Sequence, residues 1–303
     1  MFRNFAIILA LLITMGSCSN SSIPVKDRAD TGSIAISVDE CFKPVIEEQI
    51  KVYMSRYPGT QINATYKPEA ECFKDFFEDT TRVIFVTREL SQEEKDYALS
   101  KKMYTSSKAL AMDAVAFIVS KDAARSEFSI KQIKEILTGD KKRGDFKIVF
   151  DNENSSTVRY VTDSLIPGEK ISDNNFAAKN PEDLIDYVSK NPKAIGVIGV
   201  NWISDHTDEK ALKFLDKIQV CGILREGGNA YVKPYQAYIG LKDSLGRREY
   251  PATRNLYFIS KESWVGLGSG LVTFMAKDGQ LLFKQARLFP LHRSILLKQT
   301  VIK

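Results

Sequence analysis

The chain has 303 residues, 44% of them hydrophobic and 27% charged, and a formal net charge of +5 to which Arg3 contributes one. A balance this mild, with no basic run interleaved by aromatics, excludes a nucleic-acid partner. Beyond the N-terminus no hydrophobic stretch is long enough to span a bilayer, which takes roughly 20 residues.

Arg3 opens the chain, Phe5 to Met15 (FAIILALLITM) is apolar, and Gly16, Ser17 and Cys18 follow as small residues. That run is too short for a bilayer helix and reads as an export signal over residues 1–17. A cysteine directly after "MGS" resembles the bacterial lipoprotein cleavage box, which implies lipidation of Cys18. The stretch 18–31 (CSNSSIPVKDRADT) then reads as a lipidated tether with little to bury. The remaining length of about 270 residues suffices for two lobes of ordinary size. Cys41, Cys72 and Cys221 remain, and an odd number in an exported chain leaves at least one unpaired. "ECFK" occurs around both Cys41 and Cys72, so a bridge between them and buried thiols are the alternatives.

Ser33 to Val38 alternates as a strand should, with Ile34, Ile36 and Val38 on one face. Phe42, Val45, Ile46, Ile50 and Tyr53 then recur at helical spacing, with Asp39 as N-cap, Pro44 in the first turn and Pro58-Gly59 as the stop. Short apolar runs follow at Val83 to Thr87, Ala114 to Ser120, Lys147 to Phe150, Ala194 to Val200 and Tyr257 to Ser260. Helical patterns lie between them: a capping box at Ser129 and Gln132 with Gly139 as terminator, and an Asn180-Pro181 start. Continuous apolar strands separated by helices predict an α/β protein with mainly parallel sheets covered on both faces. Ligands of such sheets sit beyond the carboxyl ends of the strands. The polar loop in "FDNENSSTVRY" (150–160) has that position, which leaves a catalytic serine loop, a glycosylation sequon, a plain turn and an anion cradle to weigh.

Six segments, in order, resemble the phosphate-binding (PstS-type) family of periplasmic substrate-binding proteins. "DAVAFIVSKD" (113–122) is similar to the family's crossing strand and "FSIKQIKEILTGD" (128–140) to its helix ending in "TG". "NENSSTVRY" matches its serine-glycine-threonine loop, and "NPKAIGVIG" (191–199) its "NPGAIGYVG". "YPATRNLYFI" (250–259) matches "YPLTRPLY", and "DGQLLFKQARLFPL" (278–291) the closing helix. The resemblance implies a two-lobed periplasmic binding protein fold of type II with two hinge crossings: lobe I from 32–117 plus 235–303, and lobe II from 118–234. It also implies capture of phosphate or a related small oxyanion for an ABC permease. The protein would be a monomer without a cofactor, on the periplasmic or outer face of a bacterial membrane. The implied ligand-contacting positions are Asp39, Glu40 and Cys41, Thr87 and Arg88, and Ser155, Ser156 and Thr157, with Arg159 on the following helix.

The departures from the family pattern are acidic. Asp39 and Glu40 stand where relatives place small hydroxyl residues, Asp151 stands for an arginine, and Ser156 for a glycine. Two like charges a few ångströms apart repel by roughly 1–4 kcal/mol at effective dielectrics of 80 to 20. Arg88 and Arg159 would restore the balance, or a protonated ligand would donate to Asp39 or Glu40. Plainer roles stand beside these: Arg88 pairing with Glu89 or a neighbouring helix, Arg159 solvated, Asp39 and Glu40 only starting a helix, Trp202 filling core. His206 and His292, the two histidines, fit no metal or nucleophile pattern, and "GLGSG" (266–270) reads as a turn entering the last helix. Enzymatic activity is not expected; a sensor or adaptor on the same fold is the alternative, a hydrolase the third.

Overall fold

The computed structural model describes residues 27–292 except 79–80, 140–145, 206, 236–245 and 247. Cys18, the signal segment and His206 lie outside the described residues. The strands are β1 (Gly32–Asp39), β2 (Thr60–Lys67), β3 (Val83–Val86), β4 (Ser106–Ser120), β5 (Glu127–Phe128), β6 (Lys147–Phe150), β7 (Phe176–Ala177), β8 (Ala194–Gly199), β9 (Ile218–Val220), β10 (Gly222–Leu224), β11 (Tyr231–Val232), β12 (Thr253–Ser260) and β13 (Phe289–Pro290). The helices are α1 (Lys43–Arg56), α2 (Glu69–Phe77), α3 (Gln92–Ser100), α4 (Ile130–Thr138), α5 (Ser156–Tyr160), α6 (Pro181–Lys190), α7 (Glu209–Leu215), α8 (Leu267–Met275) and α9 (Gln280–Gln285).

The main sheet runs β2-β1-β3-β12-β4-β8-β6-β7, with β9 and β13 also on β4. Within each half the outer strands are parallel: β1 with β2 and β3, β6 with β7 and β8. β4 and β12 run antiparallel to their neighbours and form the spine. β4 changes partner midway, pairing with β12 up to Ala114 and with β8 from Val115. It is buried from Leu110 to its end, as a strand shared by both halves must be. The chain returns beside it, where Val115 N donates to Ala252 O (2.9 Å) and Tyr250 Oη to Val115 O (2.8 Å). This is the two-lobed α/β periplasmic binding protein fold, with its parallel strands separated by a mixed spine.

Local signals explain the helix ends. Both halves of the Ser129–Gln132 capping box form (2.9 and 3.2 Å), and Gly139 takes the left-handed conformation (φ +87°) that ends α4. Asn180 caps α6 ahead of Pro181. In "GLGSG" Gly266 is the N-cap of α8 and the other four residues form its first turn, and α9 follows, so the motif is not a turn into the last helix. The end of the predicted tether is fastened down: Asp27 accepts from Arg82 Nη2 (2.8 Å) and from Leu267 N at the start of α8 (2.7 Å). Cys41, Cys72 and Cys221 are buried free thiols, so the Cys41–Cys72 alternative is not formed. Among the described residues no helix is long and apolar enough to cross a membrane.

Candidate functional site

The carboxyl ends of β1, β3, β6 and β8 meet at the junction, with the β4–β12 register pair Asp113–Arg254 between them. β1 ends at Asp39, whose Oδ1 accepts Cys41 N (3.0 Å) and caps the turn Glu40–Phe42. Asp39 Oδ2 is buried without a hydrogen-bond partner, and so is Glu40 Oε1. Burial, then the carboxylate of Glu69, raises the Asp39 carboxyl to about 7 against the pull of Arg254. Burial, then Asp151 and Asp39, raises Glu40 to about 8. The Cys41 thiol, also pushed up by burial, donates to Asp151 Oδ2 (3.0 Å).

The loop after β6 turns its hydroxyls inward, and Ser155, Ser156 and Thr157 are all buried. Ser155 Oγ caps α5 at Val158 N (3.3 Å) and lies 2.7 Å from Thr157 Oγ1. Thr157 Oγ1 donates to Asp151 Oδ1, which also takes Asn152 N (3.1 Å). Ser156 Oγ donates to Cys41 Sγ (3.4 Å) and accepts from Arg254 Nη1 (2.8 Å). Arg254, its side chain 4% exposed, donates Nε to Asp113 Oδ2 (2.9 Å) and keeps Nη2 unpartnered. Gly199 lets Asn201 and the Cys41 carbonyl close in, since a Cβ there would stand 3.2 Å from Asn201 Nδ2 and 3.3 Å from Cys41 O. Asn201 completes the wall, donating Nδ2 to Cys41 O (2.7 Å).

A second knot closes the rim. Glu69 Oε1 accepts Thr87 N (2.6 Å) and Thr87 Oγ1 (2.7 Å), and Oε2 accepts Arg159 Nε (2.6 Å). Arg159 Nη2 adds a bond to Thr87 Oγ1 (2.5 Å). Burial opposes the charge on Glu69, yet Arg159 and the Thr87 donors hold its carboxyl below the usual range.

Of the nine ligand positions expected from sequence, the junction gathers Asp39, Glu40, Cys41, Ser155, Ser156 and Thr157, while Thr87 and Arg159 stand at the rim, bonded to Glu69. Arg88 is not brought in. Its guanidinium is gripped by Glu94 (2.6 and 2.8 Å) over the ring of Phe73, because Glu94 already faces it from the capping box of α3. Sequence reasoning did not single out Arg254, Asp113, Asn201 or Glu69. Arg254 and Asp113 sit inside segments whose resemblance was recognised, but nothing local marks them as a pair. Trp202 is buried at the junction, its Nε1 donating to Glu40 O (3.3 Å). His292 is exposed and bonds Ala109 O through Nε2 (2.6 Å). An open groove of about 750 Å³ runs nearby between α1 and α7, but its charges are mixed and solvated. Among the described residues no cluster of three His, Cys, Asp or Glu side chains has a metal-holding arrangement.

A family model for a PBP superfamily domain matches residues 25–278. The chain belongs to that superfamily. Among solved structures it is similar to a protein of Clostridium perfringens described as a phosphate ABC transporter substrate-binding protein with bound phosphate: TM-score 0.69 and 19% identity, over 86% of this chain and 100% of that one. It is also similar to an ABC-type phosphate transport receptor of Vibrio cholerae, with TM-score 0.61 and 13% identity over 84% and 99% of the two chains. The regulatory domain of Synechocystis CcmR, in complex with 2-PG, has TM-score 0.55 and 9% identity over 81% and 96%. At these identities the likeness is one of fold. No curated protein matches in sequence.

Proposed function

We propose that the protein is a solute-binding protein that captures phosphate or a related small oxyanion at this junction and delivers it to an ABC permease. The observation that carries the reading is Arg254: a guanidinium buried at the meeting of the halves, with a free Nη2 beside the Ser156 hydroxyl that it polarises. Charge-assisted bonds from a desolvated guanidinium suit an oxyanion, and the fork geometry suits two of its oxygens. In the superfamily, the two phosphate-transport neighbours support the same ligand class. Lobe I (32–117 plus 235–303) and lobe II (118–234) would close on the anion by hinge motion, with β4 and the return of the chain into lobe I as the two crossings. Lipid on Cys18 would hold the protein at the periplasmic or outer face of a bacterial membrane. Binding, not catalysis, is the role that this arrangement supports: Thr157 bonds the Asp151 carboxylate, Ser156 the Cys41 thiol and the Arg254 guanidinium, and Ser155 the Thr157 hydroxyl.

One observation favours a second reading, a sensor or adaptor on the same fold. Glu69 and Asp151 already engage Thr87, Arg159, Thr157 and Cys41, donors that an anion would otherwise use. Calorimetric titration of the purified protein with phosphate, sulfate, a phosphonate and small organic acids separates the two. Saturable binding of phosphate or a phosphonate is expected. Silence across the panel overturns capture and favours the adaptor.

A further inference from the structure

Acids outnumber cations at the junction. Asp39, Glu40, Glu69, Asp113 and Asp151 face two guanidinia, Arg159 and Arg254. Asp39 and Glu40 are consecutive at the end of β1, and each buries an oxygen that accepts no hydrogen bond. As carboxylates these two oxygens would repel an incoming oxyanion. As carboxylic acids they would donate to it. Resting on the reading of the junction as an oxyanion site, we propose that capture is coupled to proton uptake by Asp39 and Glu40, so that the pair becomes two hydrogen-bond donors to the ligand.

The surroundings argue for the protonated form. Asp39 and Glu40 face each other's carboxyl and the Cys41 thiol on their own turn, Glu69 and Glu71 on α2, Asp151 and Ser156 from the loop after β6, Glu182 on α6, and Arg254 on β12. One cation, Arg254, therefore answers four carboxyls besides the pair itself. Burial pushes both carboxyls up into the neutral range, about 7 for Asp39 and about 8 for Glu40. An anion placed against them raises both further. In the window between the free and bound values the complex holds more protons than the free protein. Affinity then weakens as pH rises through about 7 to 8 and levels off below it, where both groups are already protonated. Each proton taken up contributes up to about a tenfold loss per pH unit.

The ligand-free protein gives a second readout. A carboxyl raised in the folded state contributes stability that is fully present below its unfolded value and is lost as pH climbs through its folded value. For Asp39 that window runs from 3.8 to about 7, and for Glu40 from 4.5 to about 8. The isosteric substitutions Asp39→Asn and Glu40→Gln are expected to flatten the decline and to raise the melting temperature at about pH 8.

The test is phosphate calorimetry at about pH 8 in two buffers of different ionisation enthalpy, which counts protons. Because phosphate titrates in this range itself, the native count is read against Asp39→Asn and Glu40→Gln. The native protein is expected to take up more protons than either variant, and at that pH Asp39→Asn is expected to bind about tenfold tighter than native and Glu40→Gln about twofold tighter. Equal proton counts, with native stability flat between about pH 4 and 8, overturn the coupling and leave the site standing. If phosphate also fails to bind at about pH 6, where the pair is protonated, the reading of the junction falls together with it.

Discussion

Arg254→Ala is expected to cost about 3–5 kcal/mol of stability, the penalty for leaving a buried carboxylate without its partner. Arg254 is the cation bonded to Asp113, which is fully buried on the crossing strand, and it also supplies the bond that orients Ser156. For a chain of this size the loss corresponds to a fall in melting temperature of roughly 10 °C. Two further variants separate packing from charge. Arg254→Lys keeps the charge but loses the fork, so stability is partly restored while anion affinity stays about tenfold or more below native. The pair Arg254→Gln with Asp113→Asn removes both charges and is expected to recover most of the stability with none of the binding. Denaturant melts of the four proteins, with phosphate titrations alongside, check this. Arg254→Ala with native stability would show that the Asp113–Arg254 pair does not hold the spine.

Glu69 and Arg159 are expected to act on anion binding in opposite directions. Arg159 reaches from the helix after the cradle loop to Glu69 and Thr87 in the other half of the sheet, so the trio clasps the rim. Its buried member is the acid: Glu69 has a side chain 3% exposed, against 30% for Arg159. Glu69→Gln removes a negative charge next to Asp39 and frees the guanidinium and the Thr87 hydroxyl. One like charge at this range amounts to roughly 1–4 kcal/mol, so phosphate should bind about tenfold tighter or better. Arg159→Ala leaves Glu69 buried with only Thr87 to satisfy it; a stability loss of about 2 kcal/mol is expected, together with weaker phosphate binding. Calorimetry of both variants decides the matter: losses of equal sign and size would reduce the clasp to a structural contact.

Much of the fold was legible because its signals are local. The capping box at Ser129 and Gln132 and the Asn180-Pro181 start each satisfy their own helix end, wherever the rest of the chain goes. β2 escaped notice because it is a sheet edge on which only Thr60 and Ile62 are fully buried, and the first part of β4 because Ser106, Ser107 and Lys108 are exposed. In the site, the hydroxyl loop was legible from its place after β6. Arg254 was not, because its role comes from a cross-strand register with Asp113, residues far apart in sequence whose pairing no local pattern shows. Arg88 illustrates the reverse. It follows a strand end, which suggested the cleft, but Glu94, three residues into α3's capping box, binds Ser91 N and the guanidinium at once. That serine-to-glutamate spacing was present in the sequence and pointed to a structural partner.

The most direct measurement is anomalous diffraction from crystals grown with arsenate, a heavier isostere of phosphate. An arsenic peak is expected at the junction, within hydrogen-bonding reach of Arg254 Nη2 and Ser156 Oγ and in contact with the free oxygen of Asp39. A well-ordered junction without arsenic, or arsenic bound only outside it, would contradict oxyanion capture by these residues.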